Sequence, residues 1–226
     1  MTPEALGWVI GRFLGGGNLS SDRYQLAAER HFDNAPTPAR ICELWDRGVN
    51  RFLTKAVELS APVGPENRAL RNRRGALEAF GEATHAIADF YSHTDWVEIH
   101  VAQGRTANLP AAALSGRTCV ASGFPAALQS GYFNVAHGLD GCPPKPPEGF
   151  KYCHSVINKD KADSPHGRQT IAGTNITYYQ AARALAVVST REAWTALRER
   201  IAAKYGAAAG ECVFKKLAWG GEEACR

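Results

Sequence analysis

Two histidines and one aspartate recur at four-residue intervals within a strongly helical stretch of the chain. His85, Asp89 and His93 stand at positions i, i+4 and i+8, which follow one another along one face of an α-helix. Imidazole and carboxylate groups on successive turns can share one cation or bridge two. The spacing therefore predicts a metal site, and the alternative is a half-exposed helical face with His–Asp pairs.

The apolar residues beside this stripe indicate that it faces inward. Phe80, Ala83, Ile87 and Phe90 line the adjacent face of the same helix and would bury it against the core. An unpaired charge beside the core is costly, and a bound cation would remove that cost. We expect Asp89 to be the bridging ligand, because one carboxylate can bind two cations.

Two further groups of metal-ligating residue types flank the stripe in the sequence. His31 and Asp33 stand at the end of a predicted helix, where side chains can reach a neighbouring helix. A later irregular stretch adds the candidates His154, Asp160, Asp163 and His166. Taken alone, the first group also fits a capping or turn cluster, and the second also fits a polar surface loop. Five of the seven histidines fall in these three acid-bearing clusters, which favours one joint metal site.

Together, the three segments resemble the sequence motifs of the Het-C (heterokaryon incompatibility) proteins. Residues 85–98, with the pattern HxxxDFYSHTDWVE, are similar to the family signature, and residues 31–34 look like its short N-terminal motif. Residues 153–160, followed by a long helix, resemble its C-terminal segment. Three positions depart from the family pattern without removing a candidate ligand: Asp95 replaces asparagine, Ala88 replaces glutamine and Ser155 replaces glycine.

Het-C proteins are in turn distantly similar to the zinc-dependent phospholipase C and P1 nuclease group. Those are all-α enzymes with a helix-borne HxxxD motif and a trinuclear zinc site, so the resemblance implies a phosphodiester hydrolase with one to three zinc ions. That group also uses a buried N-terminal tryptophan and a later HxxxE pair. This sequence has no HxxxE pair and nothing comparable to that tryptophan beside Met1. His154, Asp160, Asp163 or His166 would then complete the site, and fewer ions or calcium are the alternatives.

The expected activity is metal-assisted hydrolysis of a phosphodiester, in which a bound cation makes water acidic enough to attack at neutral pH. Asp33, Asp89 and Glu98 are the predicted catalytic carboxylates, as ligands or as the general base. Phospholipid is the expected substrate and a membrane surface a further partner, and the net charge of +4 suits such anionic groups. Specific binding of nucleic acid is not expected. The alternative is a non-enzymatic protein whose ion is structural or regulatory and which binds a membrane surface or a protein partner.

Helical periodicity dominates the sequence and strand signals are few, which predicts one all-α domain over residues 1–226. A phospholipase C/P1 nuclease-like fold is what the resemblance adds to this class. The predicted helices lie near 6–13, from about 22 to 31, from 36 or 38 to the proline at 62, from 66 to at least 93, from about 174 to 205 and from 213 to 219. Residues 102–173 are expected to be mainly irregular, with one short helix near 125–129.

Six cysteines, an even number, favour disulfides and an extracytoplasmic location. The pairs Cys142–Cys153 and Cys212–Cys225 are the predicted local bridges. The alternative is six free thiols in a cytosolic protein.

The N-terminal residues form an apolar run that does not fit a targeting segment. Ala5–Leu14 is short, contains Arg12 and follows Glu4, so we predict that it is the first helix of the mature protein rather than a signal peptide. The alternative that a true signal has been removed upstream stays open. The sequence also has no apolar run of about 18 residues, the length that a membrane-spanning helix needs.

Overall fold

The computed structural model describes residues 1–10, 28–61, 66–106, 108–112, 119–137 and 142–220, apart from the side chains of residues 66–69. The α-helices within these ranges are α1 (Pro3–Ile10), α2 (Ala28–His31), α3 (Pro38–Trp45), α4 (Arg51–Leu59), α5 (Glu66–His93), α6 (Trp96–Ala102), α7 (His154–Ile157), α8 (Tyr178–Tyr205) and α9 (Ala207–Trp219). The β structure of the described residues is limited to three isolated bridges. The all-α class predicted from the sequence is therefore confirmed.

Helix α5 is the central element of the fold and carries the predicted stripe. It begins where predicted and ends at His93, the shortest extent that the sequence predicted, and it contacts α1, α2, α4 and α8. Phe80, Ala83, Ile87 and Phe90 are all buried, which confirms that the face next to the stripe packs into the core.

The core at the C-terminal end of α5 is aromatic. The ring centroids of Phe32, Trp45, Trp96 and Phe124 lie between 5.2 and 5.9 Å from that of Phe90. Each such pair adds about 0.5–1.5 kcal/mol beyond the area that it buries. These rings come from segments before, within and after α5, so the cluster holds those segments around the end of the helix.

The third predicted helix consists of α3 and α4 joined by a π-helical turn, Asp46–Asn50. Gly48 in this turn faces α2, and a Cβ atom there would lie 2.0 Å from the carbonyl oxygen of Glu29. Only glycine allows the two helices to approach so closely. The position of His31, the last residue of α2, therefore depends on Gly48.

Helix α8 packs along α5 and against α9. It begins at Tyr178, slightly later than predicted, because Thr177 forms a capping box at its start. Gly206 ends it as predicted, with a φ of 83° that favours glycine. The hydroxyl oxygens of Tyr91 on α5 and Ser189 on α8 are 2.7 Å apart, and this polar contact joins the two long helices.

The described residues between α6 and α8 are mainly irregular, as predicted, with short helical turns at Ala121–Gly123 and Val135–His137 besides α7. The prediction of a short helix near 125–129 is wrong. These residues form a turn, in which the amide of Leu128 donates to the carbonyl of Pro125. The helix does not continue because the amide of Gln129 donates instead to the carboxylate of Asp95, at 2.8 Å.

Disulfides connect this irregular region. The structure contains the bridges Cys42–Cys119 and Cys142–Cys153, of which the second confirms a predicted pair. Cys212 is also disulfide-bonded, and its predicted partner Cys225 lies outside the described residues. These bridges are compatible with an extracytoplasmic location. In the ranges that the structure describes, every helix is too short or too polar to cross a bilayer.

Candidate metal centre

Helices α2 and α5 bring three ligand atoms to one point. Nδ1 of His31 lies 3.0 Å from Oδ2 of Asp89, and Nε2 of His85 lies 3.1 Å from the same oxygen. The two ring nitrogens are 3.5 Å apart. All three side chains are buried, so they form a compact donor set shielded from solvent.

These separations match the ligand spacing of a tetrahedral zinc site. Zinc bonds of roughly 2.0–2.1 Å to nitrogen and oxygen place neighbouring tetrahedral ligands roughly 3.3 Å apart. The observed separations of 3.0, 3.1 and 3.5 Å lie on both sides of that value. The residues therefore fit a divalent cation. Their two imidazoles favour zinc over calcium, which takes oxygen ligands.

A second group shares Asp89 and lies one helical turn further along α5. Asp89, His93 and Asp160 each place a ligand atom within 4.8 Å of the other two, and Nε2 of His93 is 2.9 Å from Oδ2 of Asp160. Two-cation sites in enzymes place their ions about 3.5–4 Å apart. Because Asp89 belongs to both groups, it lies where one carboxylate can bridge two such ions.

The other ring nitrogen of His93 is already engaged. Nδ1 lies 2.5 Å from the carbonyl oxygen of His31, and a carbonyl can only accept, so this nitrogen carries a proton. Nε2 is then the atom available to a cation, and it faces Asp160. Histidines that bind metals commonly donate their second N–H to a backbone carbonyl, which fixes the orientation of the ring.

A third group comprises Asp33, His93 and His154, and its ligand atoms make hydrogen bonds within the protein. Nδ1 of His154 lies 2.8 Å from Oδ1 of Asp33. Nε2 of His154 accepts from the side-chain amide of Asn158 at 2.9 Å. The amide is held in this orientation because its oxygen accepts from the backbone of Asp160 at 2.7 Å. Both ring nitrogens of His154 therefore have partners within the protein, and this group joins the second one through His93.

Burial and charge act in opposite directions on the ionisable groups of this site. Burial alone would lower the pKa of His93, but the carboxylates of Asp160 and Asp89 outweigh it and raise that pKa well above its ordinary value. Burial would raise the pKa of Asp89, but His93 and hydrogen bonds from the two other histidines lower it. The carboxylates thus stay ionised at neutral pH, and their negative charge stabilises positive charge in this buried site.

An irregular segment, which we call the bridging loop (residues 130–133), connects the ligand-bearing segments. The amide of Gly131 donates to the carbonyl of His93 at 3.0 Å, and its carbonyl accepts from the amide of Asn34 at 3.0 Å. A Cβ atom at Gly131 would lie 2.6 Å from Cα of His154, so only glycine fits there. Sequence reasoning missed this loop, because a single glycine in an irregular stretch is its only visible signal.

The turn after α2 has an unusual backbone conformation. Phe32 and Asn34 have φ values of 50° and 61°, in the left-handed region that costs most residues energy and that asparagine tolerates best. The side chain of Asn34 donates to the carbonyl of Phe133 at 2.8 Å and accepts from its amide at 2.9 Å. These bonds and the burial of Phe32 hold the turn that presents Asp33 to the site.

Lys159 is a fully buried cation beside the site. Its Nζ atom lies 2.9 Å from Oε1 of Glu98, and it donates to the carbonyls of Thr94 at 3.0 Å and Ile157 at 3.1 Å. Its side chain has no exposed surface. These bonds fasten the segment that carries Asp160 to the end of α5. The sequence motif contains Lys159, but its type alone did not reveal this role.

Glu98 and His166 lie together, and neither belongs to any of the three groups found among the described residues. Nε2 of His166 is 2.6 Å from Oε1 of Glu98, and the ring of His166 packs against Tyr178. Burial would raise the pKa of Glu98, but Lys159 and the hydrogen bond from His166 lower it. Because α5 ends at His93, Glu98 does not continue the stripe, and we assign neither residue to the metal centre.

A cavity of about 340 Å³ lies between α5 and α8 beside the first two groups. His85, Asp89 and Asp160 contribute to its wall, together with Tyr179 and Arg183 of α8. Sites for small molecules commonly occupy roughly 300–1,000 Å³. A small ligand can therefore reach the shared carboxylate.

The structure brings together seven of the eight predicted metal ligands, all except His166.

No family model, curated protein or solved structure matches the chain. The resemblance to Het-C proteins and to the phospholipase C and P1 nuclease group therefore stays a hypothesis. The proposed function depends mainly on the geometry of the site.

Proposed function

We propose that this protein is a metal-dependent hydrolase of phosphodiester bonds, with a phospholipase C/P1 nuclease-like fold and phospholipid as its substrate. The observation that carries the proposal is the convergence of His31 and His85 on Asp89 in the wall of a cavity. A structural ion is typically enclosed by its ligands, whereas a catalytic ion needs an approach for substrate. The resemblance to Het-C proteins supports the same reaction class.

Zinc is the proposed cofactor. His31, His85 and Asp89 would hold one ion, and Asp89, His93 and Asp160 a second. When bound, such an ion acts as a Lewis acid that increases the acidity of water and polarises a phosphoryl oxygen. The side chain of Asp160 is 37% exposed, so a substrate can approach the second position from the cavity.

The chain's own residues give this site its rigidity. The bond from the His93 ring to the carbonyl of His31 fixes which nitrogen faces Asp160, and Lys159 holds the segment before Asp160. In the proposed reaction a water oxygen bonds to phosphorus, the phosphorus–oxygen ester bond breaks and the leaving alcohol receives a proton. For a phospholipid, the products are diacylglycerol and the phosphorylated head group.

The test combines metal analysis with turnover. Protein purified without chelator and loaded with zinc should hydrolyse bis(4-nitrophenyl) phosphate and a short-chain phosphatidylcholine. His85→Ala and Asp89→Asn should each lower kcat/KM by more than about 100-fold, since loss of mere supporting residues around a metal already costs 10- to 100-fold. His137→Ala is the matched control, because His137 is exposed and outside the groups.

Absence of turnover on both substrates by the zinc-loaded wild type would refute the enzymatic proposal. Bound zinc without turnover would favour the alternative function, in which the ion is structural or regulatory and the protein binds a membrane surface or a protein partner. Equal turnover in His85→Ala and the wild type would show that this site is not the catalytic one.

A further inference from the structure

The charged side chains that line the cavity differ in whether they have partners. Asp89 and Asp160 contact histidines, and Lys159 is bonded to Glu98 and to two carbonyl oxygens. In the part of the chain that the structure describes, Arg183 has neither an ion pair nor a hydrogen-bond partner. Its guanidinium is thus the one lining charge in these ranges left for a ligand.

We propose that Arg183 binds an anionic phosphoryl oxygen of the substrate and so makes the cavity selective for phosphate esters. A guanidinium is suited to this role, because its planar fork of N–H donors matches two phosphate oxygens at once. The inference rests on the proposed function, since it takes the cavity as the place where the substrate binds. Beyond that function, the inference names the group of the substrate that Arg183 recognises, a phosphoryl oxyanion.

The charges of the cavity favour such a group. Asp89 and Asp160 both line it, and both side chains are carboxylates. Carboxylates alone would repel a phosphate. A cation held by the ligands offsets part of this repulsion, and Arg183 adds positive charge from the opposite wall.

The residues around Arg183 leave space for a phosphate. Ala182 and Ala186 on α8 and Ala88 on α5 line the cavity with short side chains. Tyr179, one turn before Arg183 on the same helix, lines the same wall. The gap between the two long helices thus combines small residues with the charge of Arg183, as a site for a compact anion requires.

Calorimetric titration of the zinc-loaded protein with inorganic phosphate tests the role of Arg183 without turnover. We expect Arg183→Gln to weaken phosphate binding by about 10- to 100-fold, the effect of losing a charged hydrogen bond. Arg183→Lys should recover part of the affinity. Arg191→Gln is the matched control, because Arg191 is exposed on the same helix and does not line the cavity. Circular dichroism should find all variants folded, since Arg183 is exposed.

Kinetics form the second arm of the test. Arg183→Gln should raise KM for bis(4-nitrophenyl) phosphate and for short-chain phosphatidylcholine, with a much smaller change in kcat. An increase confined to the soluble diester would still support anion binding and would identify a soluble ester as the ligand. Wild-type affinity for phosphate in Arg183→Gln, or no phosphate binding by the zinc-loaded wild type, would overturn the inference. Phosphate binding that depends on Arg183, without hydrolysis of any diester, would support it while refuting the proposed function.

Discussion

The backbone amide of Gly131 donates a hydrogen bond of 3.0 Å to the carbonyl oxygen of His93. His93 is the last residue of α5 and belongs to two of the three candidate ligand groups. The carbonyl of Gly131 accepts from Asn34, and its Cα faces His154. One glycine in an irregular loop thus connects all three motifs that the sequence presents separately.

Gly131→Ala should therefore distort the candidate metal centre. The new Cβ atom would meet backbone atoms of His154 at 2.6 and 2.8 Å, and backbone cannot move aside as a flexible side chain can. We expect a loss of about 1–3 kcal/mol in the free energy of unfolding and a lower zinc affinity. Urea denaturation and calorimetric zinc titration measure the two effects. Gly123→Ala is the control, because its Cβ would have no neighbour within 4 Å, and equal behaviour of the two variants would contradict the role of Gly131.

Lys159→Met should destabilise the fold strongly. Methionine fills a similar volume but removes the charge that compensates the buried carboxylate of Glu98, and breaking a buried ion pair from one side costs about 3–5 kcal/mol. Chemical denaturation should find this loss in the single variant and a smaller loss when Glu98→Gln is added. The exposed Lys161→Met serves as the control. If the double variant were less stable than Lys159→Met alone, the pairing argument would fail.

Asp95→Asn should stabilise the protein at neutral pH. Burial, only partly opposed by the hydrogen bond from the Gln129 amide and by the charge of Lys151, raises the pKa of Asp95 from 3.8 to about 6. A raised carboxyl pKa means that ionisation costs folding free energy, a cost that is absent below about pH 4 and complete above about pH 6. Asparagine can keep the acceptor for Gln129 and carries no charge.

The expected gain for Asp95→Asn is roughly 2–3 kcal/mol at pH 7.5 and much less at pH 4.5. Urea denaturation at the two pH values, in the presence of EDTA to remove bound metal, measures it. The same difference at both values would show that the ionisation of Asp95 is not its cause.

Zinc content should depend on Asp89 more than on any other ligand. Because Asp89 belongs to both candidate groups, we expect two zinc ions in the wild type, one in Asp160→Asn and neither tightly bound in Asp89→Asn. Zinc at 100 times its dissociation constant should stabilise the wild type by about 2.7 kcal/mol for each ion bound. Elemental analysis after gel filtration measures the zinc content. Thermal unfolding with and without EDTA measures the stabilisation by zinc. Equal zinc in Asp89→Asn and the wild type would rule out the bridged arrangement.

Much of the site was predictable because its central residues lie on one regular helix. Positions 85, 89 and 93 share a face by helical geometry alone, and the neighbouring apolar residues indicated that this face is buried. The separation of Glu98 from the stripe was not predictable, because α5 stops at His93 and α6 starts afresh at Trp96. No local sequence pattern predicted the break between these two helices.

The sequence by itself determined the helical class, the start of α5, the Cys142–Cys153 bridge and the residue types able to hold a cation. These properties depend on periodicity, caps and short loops, which involve residues close together in the chain. Only the tertiary structure decided that His31 approaches His85 and Asp89, that Lys159 is buried against Glu98, and that Arg183 faces the cavity. Those relationships depend on close packing between segments far apart in the chain, as at Gly48 and Gly131, where the absence of a side chain allows two backbones to meet.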